Sequence, residues 1–205
     1  HAVRCRQKPH DVVHVSGPAD LEVHRGKDGR IYCLDAARLM PPQNPYAVIK
    51  SDPKVVRKKG FLYDLLRVEF VTSVAEMPLS SDAFSGFGKV GYPKEEKKVI
   101  VADQLLRTVV IPAAAQDLAN KYHGLEADLD LCRFFHQRGI NMRFLGLVRQ
   151  EVKKIRLKEG VDLKDLVDDG LVMCLAGEMV ARAAKHLLRF RLRKCRGDSD
   201  RRRVV

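Results

Sequence analysis

The chain has 205 residues, is 45% hydrophobic and 31% charged, and carries a formal net charge of +12. That length suffices for one well-buried core, or two small ones. No uninterrupted apolar run approaches ~18 residues, which argues against a transmembrane helix, and so basic a soluble chain points to a polyanionic partner, nucleic acid before membrane surface.

Residues 1–15 hold scattered histidines and a basic start and read as a weakly structured extension. The chain opens on His1 without a methionine or a secretory leader, as expected of a piece of a longer protein. "DLEVHRGKDGRIYCLD" reads as a β-hairpin. Leu21, Val23, Ile31 and Cys33 alternate, and "GKDG" supplies the turn. Pro41 and Pro42 forbid a continuing element. Residues 43–60 read as a surface connection. Residues 61–74 show helical spacing at Leu62, Leu65, Leu66, Phe70 and Val74. "PLSSDAF" offers one turn at 81–84 capped by a serine.

From Glu95 a helix is predicted, with Val99, Ala102, Leu105, Leu106 and Val109 on one face. Pro112 kinks it or opens a second helix, which stops at Gly124. The next helix has acids in its first turn and Gly139 as its stop. Further helices follow over about 140–156 and 171–194, with an acidic stretch at 162–169. The predicted class is α+β: an N-terminal β-hairpin or small sheet packed on a mostly helical C-terminal part. One domain is expected over 16–196, with a disordered basic tail at 197–205.

The terminal helix carries the strongest charge signal. Arg182, Lys185, Arg189, Arg193 and Arg196 recur at steps of three or four and share a face. Val180, Ala183, Ala184, Leu187 and Leu188 line the other. From Ala176 onward ten Lys/Arg meet three acids, so +7 of the net +12 sits there. A row of fixed cations suits phosphates; a solvated helix face is the plain alternative, and a protein-interaction scaffold whose basic face meets an acidic protein segment is another. Aromatics are sparse at 6%, so any RNA binding rests on charge and shape more than on stacking.

Chemistry signals are weaker. Asp35 ends a strand, where phosphotransferases hold a magnesium ion. Together with His136, Arg138 and Asn141 it outlines a conceivable nucleotide–metal site. No phosphate-cradling glycine motif accompanies it, and the simpler reading has Asp35 capping the next turn and pairing with Arg30 or Arg38. No nucleophile elbow or metal-ligand spacing occurs. Five widely spaced cysteines give neither a disulfide framework nor a zinc set, and read as free thiols, several of them in the core, in a reducing compartment. No catalytic residue, metal or cofactor is expected. In "HQRGINMRFLG" (136–146), Gly139 ends one helix and Asn141 caps the next. Arg138 and Arg143 are then candidates to pair with acids such as Asp28 or Asp35 of the hairpin.

Four collinear stretches resemble one family. "GKDGRIYCLDAARLMPP" is similar to the signature of the Clu (clustered mitochondria) domain, through Gly26, Asp28, Gly29, Arg30, Tyr32, Leu34, Asp35, Arg38, Pro41 and Pro42. "LLRVEFV" with "PLSSDAFSGFG", then "HQRGINMRFLG" with His136, Arg138, Asn141 and Arg143, then "GEMVARAAKHLLR" continue the likeness. Val68 and Phe144 depart from the family's Pro and Tyr. The resemblance implies a cytoplasmic, non-enzymatic protein that binds messenger RNAs for mitochondrial proteins and supports mitochondrial distribution, with a link to a subunit of translation initiation factor 3. It implies no catalytic residues. It implies other domains in the parent protein, the ubiquitin-like region and the tetratricopeptide repeats, which are not in this sequence. RNA and the translation machinery are the expected partners, without membrane insertion.

Overall fold

The computed structural model describes residues 2–6, 12–47, 63–85, 93–122 and 129–194. It is α+β. Strands β1 (Ala2–Arg6) and β2 (Val12–Ser16) pair antiparallel, as do β3 (Glu22–Arg25) and β4 (Ile31–Leu34). Helices follow: α1 (Val68–Ser73), α2 (Pro93–Leu105), α3 (Ile111–Lys121), α4 (Leu131–Gln137), α5 (Leu145–Lys158) and α6 (Gly170–Lys194). The chain divides into two compact units, residues 1–109 with 136–140, and residues 110–135 with 141–205.

In the first unit, β3 and β4 pair with Glu22 opposite Leu34 and Arg25 opposite Ile31. The turn between them is closed by the Gly26 N–H donating to the Arg30 carbonyl at 2.8 Å, with Gly29 at φ +79°. A side chain on Gly26 would run into Asp28 Oδ1 and the Tyr32 ring. The hairpin is therefore where the sequence put it, but it buries no side chain: Ile31, Tyr32 and Leu34 are all exposed. A sheet of two four-residue strands leaves both faces open unless something covers them. The N-terminal stretch, expected to be weakly structured, instead contributes the β1–β2 pair.

Pro41, Pro42 and Gln43 are buried. They run beside residues 64–66, through Leu66 N–H to the Pro41 carbonyl (2.8 Å) and Gln43 N–H to the Asp64 carbonyl (2.7 Å). The prolines lack donors, so only their carbonyls can join this pairing. That extended pairing takes up Leu65 and Leu66, so the helix predicted across 61–74 is only Val68–Ser73. Leu66, Phe70, Ala83, Val99, Ala102 and Leu106 are buried core residues of this unit.

Between α2 and α3, residues Leu106–Val110 form a π turn, and Pro112 lies in the first turn of α3. A proline ring clashes with the carbonyl four residues back and offers it no N–H. Widening the turn ahead of Pro112 is the usual way a helix absorbs both defects. Within the predicted α2 face, Val99, Ala102 and Leu106 are buried, but Val109 is exposed. The helical stretch Lys94–Lys121 is long and apolar enough, by length and composition, to cross a membrane. It is not an uninterrupted apolar run. The interruption is a pair, Arg107 Nε donating to Asp103 Oδ2 at 2.6 Å, with Asp103 fully buried.

In the second unit α5 packs against both α3 and α6. Ile111, Ala115, Leu118, Val148, Val152 and Leu171 are buried. Buried Arg156 ties the unit together. It donates to Asp169 (3.2 Å), to Glu159 (3.0 Å) and to the Tyr122 carbonyl (3.0 Å). Asp130 accepts the Arg133 N–H at 2.9 Å and caps α4, in place of the first-turn acids predicted there. The predicted stop at Gly124 and the basic tail at 197–205 lie outside the described residues. The described cysteines Cys33, Cys132 and Cys174 form no disulfide, and none is fully buried, against the expectation of core cysteines.

Candidate nucleic-acid interface

Helix α6 starts inside its unit and leaves it. Asp169 Oδ1 accepts the Val172 N–H at 2.9 Å, which caps the first turn. Leu171, Val172 and Leu175 are buried. Beyond Glu178 every residue to Lys194 is exposed except Leu192, which is half-buried. At 3.6 residues per turn, Arg182, Lys185, Arg189 and Arg193 lie within an arc of about 80°. That arc continues the direction of Leu171 and Leu175. The side that is core in the first two turns thus becomes cationic once the helix reaches solvent.

One member of the row is partly spent. Arg182 Nε donates to Glu178 Oε1 at 2.6 Å. The i, i+4 spacing of Glu178 and Arg182 made that pair legible in advance. Arg196 lies outside the described residues. Arg191 and Lys194 add charge on the other side of the helix, and the Lys194 ammonium sits 4.3 Å from the centre of the Phe190 ring.

The signature residues hold structure. Asp28 accepts the Tyr32 hydroxyl (2.6 Å) and the Arg30 N–H (3.1 Å). These bonds hold the Asp28 carboxyl below its usual range and push the Tyr32 phenol up. Asp35 sits at φ +52° ahead of a 3-10 turn, Ala36–Arg38, and its side chain does not cap it. The expected pairs of Asp35 with Arg30 or Arg38 are replaced. Arg30 lies 3.8 Å from Asp28. Arg38, 5% exposed, donates Nε to Asp20 Oδ2 at 2.9 Å and Nη2 to Asp20 Oδ1 and to Asp82 Oδ1 (3.4 Å). Asp82 also accepts the Ala19 N–H with both oxygens, at 3.1 and 3.0 Å, and its own N–H donates to Ser80 Oγ at 3.2 Å, the predicted serine cap.

His136, half-buried in the last turn of α4, adds its field to the two hydrogen bonds from Arg67 that hold Glu69 below the usual carboxylate range. Arg138 is in the turn before Gly139. Asn141 accepts the Arg143 N–H at 3.3 Å and caps the 3-10 turn Met142–Phe144 that leads into α5. Asn141→Ala is expected to cost about 1 kcal/mol, read as a shift in the urea midpoint. Among the described residues no three His, Cys, Asp or Glu side chains gather as a metal site would require.

Acid stability follows from two of these carboxylates. Arg38 holds Asp20, and Arg67 holds Glu69, below the unfolded-state values. A depressed folded pKa contributes stability above the unfolded pKa, near 4, and loses it as pH falls through the folded value. The melting temperature should be flat from pH 7 to about 5 and fall below about 4. Arg67→Gln should make that fall shallower.

Comparison with known proteins follows the same layout. Residues 1–46 match the family model described as clustered mitochondria, and residues 128–202 match that of translation initiation factor eIF3 subunit 135. Relatives that it is similar to include clustered mitochondria protein homologs. That of Aspergillus oryzae is 36% identical over 106 residues, covering 51% of this chain and 8% of its own length. That of Aspergillus fumigatus is 37% identical over 106 residues, 51% of this chain and 7% of its own. That of Coccidioides immitis is 28% identical over 179 residues, 84% of this chain and 13% of its own. The chain thus spans a small part of the length of the relatives it matches, and no solved structure matches it. With a clustered mitochondria match at one end, an initiation-factor match at the other and a clustered mitochondria protein homolog aligned over 84% of its length, the chain is similar to Clu-family sequences and is supported as a fragment of that kind.

Proposed function

We propose that this chain is a non-enzymatic RNA-binding segment of a Clu-type, translation-related protein. It would work in the cytoplasm on messenger RNAs for mitochondrial proteins, alongside the translation machinery. The observation that carries the reading is the exposed row Arg182, Lys185, Arg189 and Arg193 on one side of α6. Cations fixed one helical turn apart meet successive phosphates and release their counterions, without reading base identity. The family-model match over residues 128–202, which includes this row, is to an initiation-factor subunit, and that favours RNA over an acidic membrane.

The reading is tested by the salt dependence of binding to a labelled single-stranded RNA. Three to five neutralised phosphates give a slope of log K against log salt of about −2 to −3.5. A dissociation constant on the order of 1–100 μM is expected at physiological salt. A flat salt dependence, or no binding at 50 mM salt, would move RNA recognition away from this segment.

A further inference from the structure

The root of α6 holds a further cation, one that the periodicity of the helix does not count. Helices α5 and α6 run antiparallel, as three contacts taken in order show. Arg156 Nε donates to Asp169 Oδ2 at 3.2 Å, Arg149 Nε donates to the Val172 carbonyl at 3.3 Å, and a Cβ placed on Gly146 would lie 3.6 Å from Met179 Cε. Residue numbers fall along α5 as they rise along α6. One turn beyond the third contact stand Arg143 on the α5 side and Arg182 on the α6 side, both exposed. Arg143 lies in the 3-10 turn Met142–Phe144 that leads into α5. Residues three apart share a side of an α-helix and eclipse in a 3-10 turn. Arg143 therefore shares the side of Gly146, which is the side that meets α6. Arg182 in turn continues the direction of Leu171 and Leu175, the side that α6 buries in its own unit.

The charges at this root are unequal. Arg182 Nε is bonded to Glu178 Oε1 at 2.6 Å, so that pair is neutral as a whole. Without another cation, the net charge of the α6 row would begin only at Lys185. Arg143 restores a positive balance where α6 leaves its unit. Packed helix axes lie about 8–10 Å apart, within the joint reach of two arginine side chains toward one phosphate.

We infer that Arg143 belongs to the RNA-binding site and holds phosphate at the root of α6, so that the strand lies along the helix from its junction with α5 outward. The inference rests on the reading of the α6 row as an RNA contact and adds to it a residue from outside the helix.

The test compares Arg143→Gln with Lys158→Gln in the full chain, by anisotropy of a labelled single-stranded RNA across a salt series. Both residues are exposed. They stand at opposite ends of α5, about 20 Å apart at 1.5 Å per residue, which exceeds two Debye lengths of about 8 Å at 0.15 M salt. Each variant lowers the net charge equally, so only a local contact separates them. Arg143→Gln should bind about three- to tenfold more weakly at about 0.15 M salt, with a slope of log K against log salt shallower by about 0.7. Lys158→Gln should stay within about twofold of wild type, and Arg143→Lys should keep most of the affinity. The Asn141 cap uses the Arg143 backbone N–H and survives these changes, and urea midpoints check the fold. Equal affinities for Arg143→Gln and Lys158→Gln overturn the inference. They leave the α6 reading standing if the combined reversal of Arg182, Lys185 and Arg189 still removes binding. Undiminished binding by that combined variant overturns both.

Discussion

Arg38→Met should lower stability by about 3–5 kcal/mol, the usual cost of removing one partner of a buried ion pair. At 2–4 °C per kcal/mol for a chain of this size, the melting temperature should fall by roughly 10 °C. Asp82, with its side chain 3% exposed, would keep the Ala19 N–H as an acceptor's partner but lose the guanidinium that neutralises it. Asp20, 39% exposed, would return to water at little cost. The double variant Arg38→Met with Asp82→Asn should therefore recover part of the loss, since no charge is then left buried without its counter-charge. Equal melting temperatures for wild type and Arg38→Met would show that the cluster is solvated in solution.

Gly139→Ala should cost about 3 kcal/mol, combining a left-handed penalty of about 1–2 kcal/mol with overpacking of about 1–3 kcal/mol. Gly139 has φ +71°, and a Cβ built there would fall 2.5 Å from Phe70 Cβ and 2.6 Å from its Cα and backbone N. Phe70 is fully buried in α1, so neither its side chain nor its backbone can yield cheaply. Gly29→Ala and Gly160→Ala are the controls. Both have positive φ, but nothing lies within 4 Å of the added carbon. Only the backbone term applies, so about 1–2 kcal/mol is expected there. Urea midpoints of the three variants separate the steric part from the backbone part. A loss at Gly139 no greater than at Gly29 would place Phe70 elsewhere.

These two sites show what the sequence holds and what it hides. Gly139 as a helix stop and Asn141 as a cap are local facts, written in residue type and spacing, and both are found. That Gly139 rests on Phe70, 69 residues away in sequence, is tertiary and has no periodic signature. Arg38 was visible as part of the family signature, but its partners were not. Asp20 and Asp82 are 18 and 44 residues from it, and the nearer Asp35 was the natural but mistaken choice. The β3–β4 hairpin was legible from alternation and its glycine turn. Alternation promises a buried face, however, and here none of its side chains is buried. The long C-terminal helix was predicted almost to the residue. Its row of cations was also legible, because helical periodicity alone generates it. The exposure of the other side was not, because apolar spacing on a helix reads the same whether the face is covered or bare.

The functional role of this chain depends on whether the cationic row of α6 is itself the RNA contact. The deciding measurement is anisotropy of a labelled single-stranded RNA titrated with the wild-type chain and with Arg182→Glu, Lys185→Glu and Arg189→Glu combined, at the same salt. All three residues are exposed, so the fold should survive the change, and circular dichroism checks that it does. A loss of binding of at least a hundredfold in the folded variant is the predicted result, from three charges reversed against phosphate. Undiminished binding by the folded variant would contradict it and send the search for the RNA contact to another surface.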